Sequence, residues 1–550
     1  MSQPSPPFPE PLDRWLLLLL GGLLFLPFLG GAHLFDWDEI NFAEAAREMV
    51  ETGNYLQVQI NYRPFWEKPP LFIWMQALCM KVFGVGEFAA RLPNALCGIV
   101  TLQLLYGWGK TLQNRNFGWW WVLAYLGSIL PHFYFKSGII DPWFNLFIFS
   151  GIWFLWRAMV TYGERASGTT RYLLLAGAMT GLAVLTKGPV ALLLTFLLLL
   201  AYWITQRFRW FLNLKHGLLY LSTVVLVPGG WFGLDISLHG TWFTETFIEY
   251  QIRLLTTEDA GHGGFFGYHF VVLLVGCFLG SLLALTAFKR AWTSSDRADF
   301  GKWMLLLLGV VLVLFSLVQS KIVHYSSLAY FPITYLAARA ITDRLWQRSW
   351  LRWTVLGLGL LIALIPIALP YLGRHIELIE PLFAKDEFAR GNIQAVVHWS
   401  GWESLIGFVF LGAVSYFVFK FRKRPTRALI VLFMGVAFFV QGIFYGFINN
   451  IEGYSQRAAV EFYASKIGED VYLQTVGFKS YAHLFYSRRR PDYPDYAKET
   501  DFLRSDSLDR TTYFVVRKEK DYRRLDSLSG TELELYKNGF YFIRRDPVVK

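Results

Sequence analysis

The sequence predicts an all-α polytopic membrane protein with about 13 transmembrane helices and a small α/β domain at its C-terminal end. Hydrophobic residues make up 54% of the 550-residue chain and charged residues only 17%, which is too apolar for a soluble protein of this size. Apolar stretches recur through residues 1–449, whereas 34 of the last 100 residues are charged. We therefore expect a membrane domain over residues 1–449 and a soluble domain over residues 450–550.

Thirteen apolar stretches approach the roughly 20 residues that a spanning helix needs. The stretch Leu71–Phe83, with 13 residues, is shorter, so we expect it to lie in the interface or to dip into the membrane without crossing. The predicted spans are 15–31, 91–108, 117–135, 142–160, 172–187, 189–206, 216–234, 267–288, 303–319, 325–341, 352–371, 402–419 and 428–447.

Lysine and arginine are concentrated in alternate loops between these spans, for example in residues 289–302 and 420–427. The positive-inside rule places such loops in the cytoplasm. It explains the net charge of +11 better than nucleic-acid binding does. With thirteen crossings, the N-terminus is cytoplasmic, and both the loop 32–90 and the C-terminus are outside.

The C-terminal segment alternates between helix and strand patterns. The sequence predicts helices over 456–467 and 480–487, strands over 471–476 and 512–517, and a hairpin of 532–536 with 540–544. Asn538-Gly539 is a typical two-residue hairpin turn. These elements predict a small α/β domain docked on the outer face of the membrane domain.

The outer loop 32–90 gathers charge that a membrane chain seldom carries without using it. Asp38 and Glu39 stand where an amphipathic helix begins, so capping of free backbone N–H groups is one interpretation of them. Glu67 and Lys68 precede Pro69-Pro70, and the prolines prevent a helix from continuing through them. The sequence therefore predicts a rigid corner at Glu67 and Lys68.

Further charged residues lie at the predicted outer ends of spans. Each has an ordinary alternative, because lysines snorkel to the interface and Asp141 stands where it can cap a helix. If the bundle brings these span ends together, they line one outer cavity that suits an anionic head group undergoing chemistry. The residues are Lys136, Asp141, Lys187, Arg253, His262, Lys321 and His324.

Several linked motifs occur along the chain, namely Asp38-Glu39, Phe65–Pro70, Asp141-Pro142, Leu185–Pro189, His262-Gly263-Gly264 and Lys321 with His324-Tyr325. In these motifs and their order the sequence resembles the bacterial aminoarabinose transferases (ArnT) and, more distantly, the protein O-mannosyltransferases. Both are GT-C glycosyltransferases that use lipid-linked sugars. Two departures leave open the donor phosphate contacts and the sugar: Asn41-Phe42 replaces the Arg-Tyr often found there, and residues 263–288 contain no Lys or Arg.

The resemblance implies a transfer of a sugar, such as 4-amino-4-deoxy-L-arabinose, from a polyprenyl (undecaprenyl) phosphate. The expected acceptor is lipid A or another molecule at the outer face of the bacterial inner membrane. A divalent cation such as zinc is expected near Glu67 and His262. Lys68, Lys321 and Tyr325 are expected at the donor phosphate, and the expected catalytic residues are Asp38, Asp141 and Glu39.

The chemistry agrees with these expectations, because a leaving phosphate needs cations and an acceptor needs a carboxylate to orient or deprotonate it. Other enzymes remain as alternatives, namely a protein O-mannosyltransferase or an oligosaccharide ligase with a diphosphate donor. A transporter or flippase would place ionisable residues in the middle of the membrane, whereas here they gather at one face. We expect a monomer whose partners are donor, acceptor and membrane lipids, and no nucleic acid.

Overall fold

The computed structural model describes residues 10–210, 212–256, 263–294, 299–495, 500–505 and 508–547. Helices carry the first part of the chain, as the sequence predicts. These helices are α1 (Glu10–Phe25), α2 (Asp38–Thr52), α3 (Leu71–Phe83), α4 (Glu87–Leu112), α5 (Arg115–Leu126), α6 (Ile129–Tyr134), α7 (Asp141–Gly163), α8 (Thr169–Lys187), α9 (Val190–Thr205), α10 (Leu214–His239), α11 (Trp242–Thr256), α12 (Tyr268–Gly276), α13 (Gly280–Thr293), α14 (Phe300–Leu317), α15 (Tyr330–Thr342), α16 (Ser349–Arg374), α17 (Glu387–Ile393), α18 (Ser404–Lys420) and α19 (Pro425–Gly446).

Short elements join some of these helices. Strands β1 (Gln59–Ile60) and β2 (Arg63–Pro64) form a small antiparallel pair between α2 and α3. A 3₁₀ helix, Val323–Ala329, leads into α15, and two more, Ile376–Leu378 and Glu380–Phe383, follow α16.

The chain is a multi-pass membrane protein. Among the described residues, α4, α7, α10, α14, α16 and α19 are each long and apolar enough to cross a membrane. The pair α12 and α13 counts as a further span if it is taken together, although it bends by 109°. Every predicted span overlaps a helix, but several are short, such as α9 with 16 residues. The number of thirteen crossings therefore stays a prediction.

Two of the predicted spans are each divided into two helices. The helix α3 is short, as the sequence predicts. Residues 117–135 divide into α5 and α6, because the chain turns at Gly127 and Ser128. The bend between α12 and α13 lies against α6, where Gly276 approaches Leu130 so closely that a larger residue would clash. The helix α3 packs on α2 and α4.

The C-terminal segment folds around a four-stranded sheet and confirms the predicted α/β domain. The elements are α20 (Ile448–Gly453), α21 (Arg457–Ser465), β3 (Tyr472–Val476), α22 (Ala482–Ser487), α23 (Thr500–Arg504), β4 (Thr512–Val516), α24 (Glu519–Asp526), β5 (Thr531–Lys537) and β6 (Phe540–Arg545). The strand order is β3-β4-β6-β5, with β3 and β4 parallel and the other pairs antiparallel. The predicted strands, hairpin and two helices are present, whereas α20, α23 and α24 were not predicted.

This domain shares a hydrophobic core with the loop 32–90. Ile40 of α2 and Ile73 of α3 belong to one buried cluster with Phe485 and Phe542. Backbone contacts add to it, since the Leu34 N–H donates to Tyr486 Oη at 2.7 Å. The loop and the domain are therefore one packed unit above the helix bundle.

Candidate active site

A cavity of about 1470 Å³ lies between the helix bundle and the C-terminal domain. On the bundle side its walls are apolar and come from α7, α9, α14 and the segment that follows α14. Charged residues from eight separate parts of the chain face the same space. These are Asp36, Asp38, Glu67, Lys68, Asp141, Lys187, Arg253, His324, Lys479 and Arg517. Most of the charged span ends that were predicted to line one outer cavity therefore do so.

The helix α2 begins at Asp38, but the Asp38 side chain does not cap it. The residue before it, Trp37, is the N-cap, and within the described residues no side chain caps the helix with a hydrogen bond. Instead, Asp38 Oδ2 lies 3.3 Å from His324 Nε2, and the side chain remains 32% exposed. The capping interpretation of Asp38 therefore does not fit, and its carboxylate faces the cavity.

Asp141 lies on the other side of His324. Its Oδ2 is 3.8 Å from His324 Nε2, and its Oδ1 accepts a hydrogen bond from Lys187 Nζ at 2.7 Å. Asp141 Oδ2 is buried and makes no hydrogen bond within the described residues. The four side chains Asp38, His324, Asp141 and Lys187 form a continuous row, which we call the acid row.

The Glu67 and Lys68 corner stands beside this row. The Lys68 ammonium lies 5.1 Å from the ring centroid of Tyr250. Burial lowers the pKa of Lys68; the Glu67 carboxylate offsets part of this shift, and Lys187 lowers the pKa further. Two lysines therefore share one electrostatic neighbourhood with the carboxylates of the acid row, and this is a suitable place for a phosphate.

Glu39 points away from the cavity, so the catalytic role predicted for it does not fit its position. Its carboxylate accepts hydrogen bonds from Arg91 Nε at 3.0 Å and from a second Arg91 nitrogen at 2.8 Å. The backbone N–H groups of Phe35 and Gly138 also donate to it. Both oxygens are fully used, and Glu39 instead fixes the start of α2 against α4.

Lys321 also lies elsewhere than expected. Its ammonium donates to the carbonyl oxygens of Phe315, at 3.1 Å, Ser316, at 2.8 Å, and Val318. These carbonyls belong to the C-terminal end of α14, where a lysine commonly satisfies free carbonyl groups. Lys321 is not among the residues that line the cavity, so its place at a donor phosphate is not supported.

Lys187, and not Lys321, is the lysine that lies beside Tyr325 in the cavity. The Lys187 ammonium lies 5.5 Å from the Tyr325 ring centroid, and both residues line the cavity. Lys187 stood in the sequence as one of several lysines at span ends, and only the assembled bundle distinguishes it. Lys136, which had the same status, instead donates to the Pro27 carbonyl at 2.6 Å outside the cavity lining.

Comparisons with known proteins give a consistent answer. Residues 67–231 match the family described as dolichyl-phosphate-mannose-protein mannosyltransferase. An undecaprenyl phosphate-alpha-4-amino-4-deoxy-L-arabinose arabinosyl transferase from Enterobacter sp. is 25% identical over 91% of this chain and 89% of its own length. One from Pseudomonas paraeruginosa is 28% identical over 68% of each chain.

Solved structures show the fold. The crystal structure of ArnT from Cupriavidus metallidurans in the apo state has a TM-score of 0.77 at 19% identity and covers 98% of both chains. The same protein bound to undecaprenyl phosphate has a TM-score of 0.76 and covers 98% of this chain and 99% of that one. The chain is a membrane glycosyltransferase that resembles ArnT in sequence and has its fold.

His262, one of the two predicted metal ligands, lies outside the described residues. The other, Glu67, accepts from Tyr250 Oη at 3.4 Å and lies 4.0 Å from Lys479 Nζ. Two nearby lysines are a poor surrounding for a cation. The described part of the chain holds no group of three or more His, Cys, Asp or Glu that could bind a metal. The metal therefore stays a prediction.

Proposed function

We propose that the chain transfers 4-amino-4-deoxy-L-arabinose from undecaprenyl phosphate to lipid A at the outer face of the bacterial inner membrane. The sugar and the carrier are those named for the two relatives described above. In this proposal the N-terminus is cytoplasmic, and the cavity and C-terminal domain are periplasmic.

The observation that carries the proposal is that the acid row and an apolar wall line the same cavity. The bundle-side wall, with Phe144, Leu193, Leu194, Phe315 and Val318, suits a polyprenyl chain. Beside this wall, Lys68 and Lys187 provide positive charge next to Asp38 and Asp141. Such a site can hold a lipid by its tail, bind its phosphate and present its sugar to carboxylates.

The transfer makes one bond and breaks one. An acceptor oxygen bonds to the anomeric carbon of the sugar, and the bond from that carbon to the phosphate oxygen breaks, so undecaprenyl phosphate leaves with the electron pair. Lys68 and Lys187 stabilise the charge that develops on the phosphate. Asp141 keeps the Lys187 ammonium in place through the 2.7 Å hydrogen bond.

Asp38 acts on the acceptor. Where the acceptor is a hydroxyl, Asp38 takes its proton as general base, and His324, 3.3 Å away, holds the carboxylate in place. Where the acceptor is an ionised phosphate, there is no proton to remove, and Asp38 acts by orienting it. If the predicted metal is present, Glu67 and His262 would hold it, and it would supply positive charge near the phosphate.

The proposal is tested with the purified chain in lipid nanodiscs, undecaprenyl-phosphoryl aminoarabinose and lipid A. Mass spectrometry should detect aminoarabinosyl lipid A together with free undecaprenyl phosphate. Lack of both products with an intact, folded chain would refute the proposal.

One alternative has an observation of its own, since residues 67–231 match a mannosyltransferase family. A parallel reaction with mannosyl-phosphoryl undecaprenol and a serine- and threonine-rich peptide tests it. A mannosylated peptide, with no lipid A product, would favour that alternative.

A further inference from the structure

The end of the cavity nearest the C-terminal domain has its own pair of cations, Lys479 and Arg517. Arg517 directly follows β4, and Lys479 lies three residues beyond β3. These strands are parallel neighbours, with Val476 paired to Val516, so both side chains emerge from the same edge of the sheet. The carboxyl ends of parallel strands are a common place for ligands, and here they face the cavity.

The Arg517 guanidinium is held by aromatic rings. Its central carbon lies 3.9 Å from the ring centroid of Phe478 and 4.9 Å from that of Phe388. Its Nε is buried and makes no hydrogen bond within the described residues. Burial lowers the pKa of Arg517, yet an arginine remains charged in proteins. The rings thus hold a charged guanidinium whose Nε–H group has no hydrogen-bond acceptor among the described residues.

Asp36 is the carboxylate that raises the pKa of Arg517 and so offsets part of the effect of burial. Burial raises the pKa of Asp36, which weakens it as a counter-ion. Asp36 Oδ1 is itself buried without a hydrogen bond among the described residues. The charge of Arg517 is therefore only partly compensated by the protein.

Lys479 lies beside the segment that leads into α2. Its ammonium lies 4.5 Å from the Trp37 ring centroid and 4.0 Å from Glu67 Oε1. Trp37 immediately precedes Asp38 in the chain. The Lys479 side chain is 62% exposed, so its ammonium can turn toward a ligand without breaking a packed core.

Asn392 adds an uncharged contact at the same end of the cavity. The residue is 6% exposed and lines the cavity, and its Oδ1 is buried without a hydrogen-bond donor in the described part of the chain. An amide oxygen in this state suits a sugar hydroxyl or amide N–H.

We propose that Lys479 and Arg517 bind a phosphate of the acceptor headgroup, while Asn392 Oδ1 accepts from a polar group of its sugar. The C-terminal domain is then the acceptor-binding domain, and its ligand is a phosphorylated glycolipid. Lys68 of the loop 32–90 and Lys187 of α8 hold the donor phosphate, whereas Lys479 and Arg517 reach the same cavity from the C-terminal domain. This inference rests on the proposed transfer and adds to it the site of the acceptor.

The experiment compares Lys479→Ala and Arg517→Lys with wild type and with Lys520→Ala. Lys520 is an exposed lysine of the same domain outside the cavity lining, so it controls for loss of charge. Initial rates in nanodiscs are measured while lipid A and undecaprenyl-phosphoryl aminoarabinose are varied separately. Native mass spectrometry records binding of undecaprenyl phosphate and of lipid A, with and without added inorganic phosphate.

We expect Lys479→Ala and Arg517→Lys to raise the KM for lipid A at least tenfold, with the KM for the donor and the binding of undecaprenyl phosphate within twofold of wild type. Lys520→Ala should match wild type. If inorganic phosphate displaces lipid A from the wild-type chain and binds as tightly as lipid A does, the site belongs to free phosphate, and the glycolipid assignment is overturned.

An unchanged KM for lipid A in Lys479→Ala would overturn the inference, and so would equal rises in both KM values. Because Lys479 is exposed, its variant decides the matter even if Arg517→Lys unfolds. A wild-type chain that transfers nothing to lipid A would refute the proposed function itself. An active wild type with unchanged variants refutes only the acceptor site.

Discussion

Adjacent carboxylates on α2 have opposite roles in this account, and a pair of isosteric substitutions separates them. Glu39→Gln removes a buried charge that Arg91 contacts through two nitrogens, at 3.0 and 2.8 Å. Arg91 is 4% exposed, so the substitution removes the hydrogen-bonded counter-ion of a buried charge. Breaking a buried ion pair from one side costs about 3–5 kcal/mol. We expect the free energy of unfolding to fall by this amount, with kcat per folded molecule little changed.

Asp38→Asn should do the reverse. Asp38 is 32% exposed and caps nothing in the described structure, so the free energy of unfolding should change by about 0.5 kcal/mol or less. The loss of a general base or orienting carboxylate should reduce kcat by roughly 10²–10⁴.

The assay combines detergent-induced unfolding, followed by tryptophan fluorescence, with single-turnover transfer rates scaled to the folded fraction. A stable but inactive Glu39→Gln variant would make Glu39 catalytic. An active Asp38→Asn variant would refute the role of Asp38 at the acceptor.

The same pair predicts a pH dependence. Burial alone would raise the pKa of Glu39, but Arg91 and two backbone N–H groups keep it below its ordinary value of 4.5. A carboxyl whose pKa is lowered by folding stabilises the protein fully above its unfolded pKa and loses this contribution as the pH falls through the folded pKa. The stability advantage of wild type over Glu39→Gln should therefore shrink below pH 4.5; an advantage that grows there would contradict the pairing.

His324→Gln should reduce kcat by roughly tenfold to a hundredfold, because the histidine holds Asp38 and Asp141 in place. KM should be nearly unchanged, and steady-state rates measure both constants. A variant with the wild-type kcat would show that His324 is not part of the site. Cysteines at exposed Glu51 and Lys520 should react with an impermeant reagent in intact spheroplasts, and protection of both would refute the proposed orientation. Metal analysis of wild type, Glu67→Gln and His262→Ala should show less bound metal in the variants, whereas equal content with chelator-resistant activity would remove the metal from the account.

Local patterns predict the parts of this fold that local physics decides. The helix Leu71–Phe83 and the hairpin turn at Asn538-Gly539 follow from apolar runs, prolines and turn residues. Asn538 and Gly539 both adopt positive φ angles, 50° and 79°, as the two-residue turn requires. The charged span ends were predictable for the same reason, since membrane segments leave charges only at their ends.

Pairings between distant residues could not be predicted. Glu39 and Arg91 are 52 residues apart, and nothing in the spacing shows that Arg91 would use the carboxylate beside Asp38. Lys321 and Lys187 look alike at span ends, and only the packed bundle shows that Lys321 binds carbonyl groups while Lys187 binds Asp141. Lys479 and Arg517 come from a domain whose docking surface is formed by the loop 32–90, more than 380 residues earlier.

The central claim is that the acid row transfers a lipid-linked sugar to an outer-face acceptor. It is tested most directly by mass spectrometry of total membrane glycolipids and proteins from cells that express either the wild-type chain or Asp38→Asn at equal levels. The account predicts a lipid A species carrying one added aminoarabinose in wild-type cells, absent with Asp38→Asn, and no difference in glycoproteins. The same lipid A profile in both strains, or a sugar added only to proteins, would contradict it.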